Sequence, residues 1–205
     1  MGRDHAASGV GGPASEVPAT PADDEVLAAA EVMDRNGYPY IVHPLMDGVP
    51  RVEPELLRAW TAWAWEQVPL RHADLLLAPE AMALPLVAPL CLESGLPYVV
   101  ARKRAYARPG EQGLASETGY GSSNLYVNDV RAGDRVLIVD DVLSTGSTLD
   151  GLLAAVQACG AKAVGALVFL DKGDARKALE AKHGVPIVAM RSVRVEGGKL
   201  VPRDD

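Results

Sequence analysis

Residues 136–148 constrain the fold of this chain more than any other segment. They read VLIVDDVLSTGST, and the first four positions are apolar and mostly β-branched, which is typical of a strand buried in a parallel sheet. Two carboxylates, Asp140 and Asp141, follow directly. A loop of small and hydroxyl-bearing residues, 144–148, then leads into a helix that is predicted to begin near Leu149. This order of elements predicts one unit of an α/β fold.

Two chemistries lie close together in this segment. Paired carboxylates accept hydrogen bonds from the neighbouring hydroxyls of a sugar. A loop rich in glycine, serine and threonine at a helix N-terminus offers backbone N–H groups and hydroxyls to a phosphate. A ribose 5-phosphate carries both features at about that separation, so the segment predicts a site for a phosphorylated sugar.

The segment resembles the phosphoribosyl-pyrophosphate (PRPP) signature of the type I phosphoribosyltransferases. That signature has four apolar residues, two acids, two variable residues, and then a small residue followed by Thr-Gly-Gly-Thr; the second glycine is Ser147 here. The resemblance implies that Asp140 and Asp141 hold the ribose hydroxyls. It also implies that the loop holds the 5-phosphate, through Ser144, Thr145, Gly146, Ser147 and Thr148. The alternative, a strand with an incidental acidic end as in receiver domains, leaves this loop without a purpose.

The rest of the chain alternates predicted strands with predicted helices. The predicted helices are 23–37, 53–67, 81–94, 148–159 and 175–183. The predicted strands are 38–42, 74–78, 98–101, 124–127, 135–139, 163–170 and 185–190, with a last hairpin at 193–195 and 200–201. Such alternation predicts a doubly wound, mostly parallel sheet of the α/β class, with ligands bound outside the carboxyl ends of its strands. The resemblance adds a small hood, at about 37–50 and 185–202, and a flexible lid loop.

Two further strand ends resemble the pyrophosphate site of adenine-type phosphoribosyltransferases. Glu80 and Ala81 match the start of a loop that presents backbone N–H groups, often through a cis peptide, although the next two family residues, Arg and Gly, are Met82 and Ala83 here. The segment that begins at Arg102 resembles the family's Arg-Lys-Lys-Gly. The resemblance implies that pyrophosphate is bound by Glu80, Ala81, Arg102, Lys103 and Tyr106.

The polar stretch 104–122 is too long for an idle loop in a compact domain, and we interpret it as a closing lid. Residues 118–121 align with the family's Leu-Glu-Tyr-Gly. Tyr120 matches the family tyrosine, and the family glutamate falls on Gly119, so Glu117 is the candidate acid in its place. The resemblance therefore gives Tyr120 and Glu117 catalytic roles alongside the acid pair.

The base site is the least specified part of the sequence. Asp171 and Lys172 follow a predicted strand whose end contacts the nucleobase in related enzymes, and either one can read a 6-oxo or 6-amino group; an ordinary charged turn is the alternative. Residues 38–48 resemble the hood of archaeal-type hypoxanthine/adenine enzymes, which makes Ile41 and Val42 candidate neighbours of the base. Three tryptophans, Trp60, Trp63 and Trp65, are better explained as core or subunit interface than as a stacking platform.

Composition bears on the possible partners of the protein, its location in the cell and its division into domains. The net charge of −7 argues against a general nucleic-acid binder, although Arg102, Lys103, Arg104 and Arg108 form a basic island. There is no apolar run long enough to span a bilayer and no secretory signal, so we expect a cytoplasmic protein with two reduced cysteines. Residues 1–22 are rich in Gly, Ala, Pro and Ser and predict a disordered tail before a single domain, 23–205.

The sequence therefore predicts transfer of the 5-phosphoribosyl group from PRPP to a purine base, with release of pyrophosphate. The resemblance implies Mg²⁺ as cofactor and a homodimer. The ion is expected to be held by PRPP without direct side-chain ligands, with water as a route to Asp140 and Asp141. Two alternatives stay open: the same reaction on a modified purine such as a 7-deazapurine, and a PRPP-sensing regulator without catalysis. Orotate as the base is ranked lower, because the segment after Ala101 resembles the adenine type.

Overall fold

The computed structural model describes residues 27–35, 37–118 and 121–203. The strands are β1 (Glu31–Arg35), β2 (Tyr38–Val42), β3 (Leu75–Pro79), β4 (Tyr98–Ala101), β5 (Gln112–Thr118), β6 (Gly121–Val127), β7 (Arg135–Leu143), β8 (Lys162–Asp171), β9 (Ile187–Glu196) and β10 (Lys199–Pro202). The helices are α1 (Pro44–Asp47), α2 (Pro54–Trp65), α3 (Leu84–Ser94), α4 (Ser147–Ala158) and α5 (Ala175–His183), with a 3-10 turn at Val68–His72. The predicted tail, 1–22, lies outside the described residues.

Six strands form the central sheet, in the order β10-β9-β8-β7-β3-β4. The five strands from β9 to β4 are parallel, and β10 pairs antiparallel with β9 at one edge. Because parallel strands end on the same edge, the carboxyl ends of β3, β4, β7 and β8 converge. The predicted α/β architecture is confirmed.

Alternate residues of β7 pack on opposite faces of this sheet. Leu137 and Val139 join a core with Trp60 on one face, whereas Val136 and Ile138 join a second core with Leu152 of α4 on the other. All four of the strand residues are fully buried. A strand covered on both sides has no polar face, which is why this run is continuously apolar.

The predicted first helix, 23–37, is wrong over its second half. Residues 31–35 form β1, which pairs antiparallel with β2, and Met33 is half exposed. The sequence Asn-Gly at 36–37 is a two-residue hairpin signal that the helical spacing of Leu27, Ala30 and Met33 concealed. Gly37 has φ of 82° and its N–H donates to Asp34 Oδ1 at 3.0 Å. Pairing with β2 therefore outweighs the local helical pattern.

The predicted lid is not an unstructured loop either. Residues 112–118 pair antiparallel with 121–127, so Leu114 faces Leu125 across a hairpin. Most residues of the hairpin are polar or glycine, and this hid the strands from hydrophobic periodicity. Residues 102–111 remain irregular between β4 and this hairpin.

Two predicted strands extend further than expected. β7 runs to Leu143 rather than to Val139, because Val142 and Leu143 continue to pair with β8. β9 runs to Glu196, because its outer half pairs with β10 around Gly197 and Gly198. Hydrogen bonds to a neighbouring strand pair the backbone groups of these residues, although the local sequence predicts that each strand ends earlier.

Trp60 is fully buried, and its indole N–H donates to Leu86 O at 3.0 Å. Its ring lies 5.2 Å from that of Trp63, whereas Trp65 is 46% exposed. The core role is confirmed for Trp60. Both cysteines are free thiols and partly buried. Among the described helices, none has the length and apolarity needed to cross a bilayer.

Candidate active site at the carboxyl edge of the sheet

The acid pair lies near the end of the central strand β7. Asp140 is 5% exposed, and its Oδ1 accepts a hydrogen bond from the N–H of Asp141 at 2.9 Å. Burial raises the pKa of Asp140 well above its usual value, and the charge of Asp141 raises it further. Burial also raises the pKa of Asp141, with a smaller contribution from the charge of Asp47. Two carboxylates held this way are stabilised by hydroxyl donors or by a cation.

The polar loop between β7 and α4 is built around Gly146. This residue has φ of 82°, a left-handed conformation that suits glycine, and it is the N-cap of α4. Helix α4 begins at Ser147, whose N–H lies 3.4 Å from Thr145 Oγ1. The loop therefore leads directly into the N-terminus of α4, where the first-turn N–H groups and the positive end of the helix dipole suit a phosphate.

The strand end of β3 carries the candidate pyrophosphate loop. The Glu80–Ala81 peptide is cis, as the resemblance implied, and residues 81–83 form a turn before α3. The predicted helix start at Ala81 is therefore wrong. Helix α3 begins at Leu84 and has Pro85 in its first turn, where the missing backbone N–H of proline costs no helical hydrogen bond. This keeps the backbone of 80–83 outside the helix.

Glu80 connects this loop to the basic segment after β4. Its Oε2 lies 2.9 Å from Arg102 Nε, and its Oε1 accepts from the N–H of Lys103 at 2.7 Å. Arg102 also exchanges two backbone hydrogen bonds with Tyr126 of β6. The structure thus brings together Glu80, Ala81, Arg102 and Lys103. Tyr106 is 51% exposed, on the irregular segment that continues toward the hairpin.

Glu111 ties this irregular segment to the base of the hairpin, and sequence reasoning missed it. Its carboxylate accepts hydrogen bonds from Asn128 Nδ2 at 2.8 Å and from the N–H groups of Tyr106 at 2.8 Å and Ala107 at 3.1 Å. The bond from Asn128 and then the one from Tyr106 lower the pKa of Glu111. Ala107 has a left-handed φ of 52°, so its backbone turns sharply at the point that Glu111 holds. Glu111 therefore holds the far part of the segment after β4, at Tyr106 and Ala107, as Glu80 holds its start.

We expect Glu111→Ala to lower kcat/KM about threefold to tenfold, because the basic segment loses its anchor. The measurement is steady-state pyrophosphate release with PRPP as the varied substrate. Glu55→Ala, at an exposed position of helix α2, is the matched control and is expected to have no effect. Equal kinetics for the two variants would contradict the anchoring role.

The base-site candidates are only partly brought together. Asp171 is fully buried, and its Oδ2 pairs with Arg203 Nη2 at 3.1 Å and Arg176 Nε at 3.5 Å. These arginines occupy a carboxylate oxygen that a base would need. The predicted contact between Asp171 and the base stays a prediction. Ile41 and Val42 are buried, at 2% and 8% exposure. Ile41 packs in the core, so any contact with a base stays a prediction for both.

Lys172 bridges the end of β8 to the hood. Its Nζ donates to Pro39 O at 3.0 Å and lies 4.1 Å from the ring centroid of Tyr38. The hydroxyl of Tyr38 is in turn 3.2 Å from Ser144 Oγ in the phosphate loop. These partners lie more than a hundred positions apart in sequence, so no local signal predicts the contact.

Two predicted catalytic residues are not placed by the described structure. Tyr120 lies outside the described residues. Glu117 stands opposite Ser122 in the backbone register of the β5–β6 hairpin. Their roles stay predictions.

A doubly covered parallel sheet that presents an acid pair, a phosphate-type loop and a basic segment at one edge defines the class of type I phosphoribosyltransferases. The family model of the phosphoribosyl transferase domain matches residues 52–189. The chain belongs to this family.

Relatives from archaea align over most of the chain. The hypoxanthine/guanine phosphoribosyltransferase of Methanotorris igneus is 39% identical over 87% of this chain and 97% of that protein. That of Methanocaldococcus jannaschii is 38% identical over the same shares. HGPRTase-like protein 3 of Haloterrigena turkmenica is 42% identical over 85% of this chain and 92% of its own length.

Solved structures with this fold include adenine phosphoribosyltransferases. The enzyme of Thermoanaerobacter pseudethanolicus superposes with a TM-score of 0.70 at 23% identity, covering 82% of this chain and 98% of that one. At this identity the likeness concerns the fold alone.

Proposed function

We propose that this protein transfers the 5-phosphoribosyl group of PRPP to a purine base, releasing pyrophosphate and forming a nucleoside 5′-monophosphate. The observation that carries the proposal is the position of the acid pair on β7, next to a phosphate-type loop that leads into the N-terminus of α4. The archaeal relatives, whose names state hypoxanthine and guanine, support the choice of a purine.

The acid pair acts on the ribose. Asp140 and Asp141 accept hydrogen bonds from the 2- and 3-hydroxyls, which stabilises two carboxylates that burial otherwise penalises. As the bond from C1 to pyrophosphate breaks, C1 gains positive charge, and the nearby carboxylates stabilise that charge. The base then attacks from the opposite face, and the anomeric centre is inverted. No covalent intermediate with the protein is needed.

The 5-phosphate and the pyrophosphate are bound by different loops. The 144–148 loop holds the 5-phosphate at the N-terminus of α4. The backbone of 80–83, together with Arg102 and Lys103, faces the leaving pyrophosphate. The ion pair of Arg102 with Glu80 fixes the direction of the guanidinium before the ligand arrives. Positioned cations of this kind stabilise charge that develops on a leaving group.

A magnesium ion fits the donor chemistry of the site. Asp140 and Asp141 offer carboxylate oxygens, which are hard ligands that Mg²⁺ prefers. Within the described residues, no group of three or more His, Cys, Asp or Glu side chains is placed to hold a metal. Most ligands would therefore come from PRPP oxygens and water. When bound, the ion would neutralise charge on the pyrophosphate.

The position of Lys172 favours a 6-oxopurine over adenine. An ammonium group only donates hydrogen bonds, so it matches a carbonyl acceptor and opposes an amino donor. Lys172 lies at the end of β8, beside the hood residues Tyr38 and Pro39. The relatives named for hypoxanthine and guanine support the same choice.

We expect Lys172→Met to lower kcat/KM for hypoxanthine at least about tenfold while leaving KM for PRPP within about twofold. Lys177→Met, an exposed lysine on neighbouring helix α5, is the matched control. A loss that falls equally on adenine and hypoxanthine would contradict a role in reading the 6-position.

The decisive assay is pyrophosphate release from PRPP and Mg²⁺ with adenine, hypoxanthine, guanine, xanthine, orotate and several 7-deazapurines. Turnover with hypoxanthine or guanine is the expected result. Turnover only with a deazapurine would move the enzyme to a specialised nucleoside pathway. Binding of PRPP without turnover on any base would overturn the catalytic proposal in favour of a regulator.

We also propose a homodimer in the cytoplasm, on the family resemblance. Light scattering coupled to size exclusion tests the first part. A mass near twice the chain's 21.6 kDa is expected.

A further inference from the structure

The last described residue, Arg203, turns back from β10 onto the functional edge of the sheet. Its backbone N–H donates to Ser192 O at 2.9 Å, which fixes the chain beside β9. Its guanidinium reaches Gly173 O at 2.5 Å and Asp171 Oδ2 at 3.1 Å. The side chain is 20% exposed and that of Asp171 is fully buried. One guanidinium nitrogen, Nη2, thus pairs with the buried carboxylate of Asp171, while the other, Nη1, donates to the Gly173 carbonyl. Charge-assisted hydrogen bonds of this kind are among the stronger polar contacts in a protein.

Arg203 therefore closes the turn 171–174 between β8 and α5. Asp171 Oδ1 accepts from the N–H of Gly173 at 3.2 Å, while its other oxygen faces Arg203 and Arg176. Arg203 also lies 3.4 Å from Asp174 Oδ1. The guanidinium thus contacts the turn at its first, third and fourth residues, and it holds the shape of the whole turn.

This turn lies directly against the phosphate loop. The N–H of Lys172 donates to Leu143 O at 2.9 Å. A Cβ added to Gly173 would overlap the carbonyl group of Ser144, so the two backbones are in direct contact. A Cβ added to Gly146 would lie 2.8 Å from Ala175 Cβ, at the start of α5. The turn therefore contacts Leu143 and Ser144, and the start of α5 contacts Gly146, so a shift of the turn displaces the beginning of the loop.

We propose that Arg203 is a positioning residue for the 5-phosphate loop, acting through the 171–174 turn. This inference rests on the proposed function, because it concerns the same site. Arg203 touches neither PRPP nor the base in this role. It holds Gly173 against Ser144, and so it fixes the direction of the loop's N–H groups and hydroxyls before the ligand binds.

The test separates the two anion sites of the active centre. Ribose 5-phosphate and inorganic pyrophosphate, with Mg²⁺, are titrated separately by calorimetry into the wild type, Arg203→Met and Arg194→Met. Arg194 lies on the same β9–β10 hairpin and pairs at the surface with Glu196, so it is the matched control. We expect Arg203→Met to weaken ribose 5-phosphate about fivefold to tenfold and pyrophosphate less than about twofold. The control is expected to bind both ligands as the wild type does.

Arg203→Lys guards against a variant that simply fails to fold. Lysine keeps a positive charge over Asp171 but lacks the planar fork that reaches Gly173 O at the same time. We expect the same selective loss, smaller than with methionine. Equal weakening of both ligands, or no change in either, would overturn the positioning role. A wild-type protein that binds neither ligand would instead overturn the proposed function, and the inference with it.

Discussion

Replacing Asp141 by asparagine is expected to lower kcat/KM at least about tenfold, a loss of about 1.4 kcal/mol of transition-state stabilisation. Asparagine keeps the size of the side chain but removes the negative charge that stabilises the cation-like C1. Asp140→Asn is expected to act in the same direction, because we propose that its carboxylate binds the same sugar. The measurement is steady-state pyrophosphate release with saturating purine. Unchanged turnover at saturating PRPP would count against these roles.

The same substitutions are expected to stabilise the ligand-free protein. Burial raises the folded-state pKa of Asp140 above the unfolded value of 3.8. The folded protein therefore binds the proton more tightly than the unfolded chain does, and stability falls as the pH rises from the unfolded pKa through the folded one. Asparagine carries no charge at any pH. The Tm of Asp140→Asn should exceed that of the wild type at neutral pH.

The pH dependence makes this stability prediction specific. Well below the unfolded pKa of 3.8 the Asp140 carboxyl is protonated in both the folded and the unfolded state, so the Tm difference between Asp140→Asn and wild type should shrink there. Asp129→Asn, at an exposed carboxylate, is the control and should show no comparable gain at neutral pH. A stability gain that is independent of pH would point to packing rather than to the buried charge.

Gly146→Ala is expected to lower the free energy of unfolding by about 2–4 kcal/mol, from a left-handed φ and from overpacking. The φ is 82°, and the new Cβ would lie 2.8 Å from Ala175 Cβ and 3.0 Å from Leu179 Cδ1. Relief of this overlap must move the phosphate loop or α5. We therefore expect KM for PRPP to rise at least about tenfold as well.

Gly184→Ala is the matched control for this glycine. Gly184 also has a left-handed φ, 67°, at the end of α5, but an added Cβ would meet nothing within 4 Å. It is expected to lose only about 1 kcal/mol, with unchanged kinetics. Urea unfolding followed by tryptophan fluorescence measures both variants. Equal losses of stability, with an unchanged KM, would show that the packing behind Gly146 does not position the loop.

The helices and strands that sequence predicted best are those with strong local patterns. The boundaries of β2, β4 and α5 agree with the predictions, because apolar spacing and a following glycine or polar turn mark them. The predictions failed at residues 31–35 and in the lid. There, pairing with a neighbouring strand decided the structure, and an antiparallel partner is not visible in the spacing of apolar residues.

The site divides in the same way. Residues 136–148 alone predicted the acid pair and the phosphate loop, because adjacent residues carry both chemistries on one strand and helix. Glu80, Arg102 and Lys103 were predicted by resemblance, and the structure adds the ion pair that joins them. No sequence pattern pointed to Glu111 or Arg203, because a single charged residue outside a motif is typical of an ordinary protein surface.

By itself, the sequence determined the class of fold, and it predicted the sugar-phosphate chemistry and the strand that carries it. These depend on residue types that are near one another along the chain. The tertiary structure alone decided that the 171–174 turn contacts the 144–148 loop, that Arg203 binds that turn, and that Lys172 meets the hood. Each of these contacts joins segments that are distant in sequence, and only the packing of β7 against β8 and of the hood against the sheet edge brings them together.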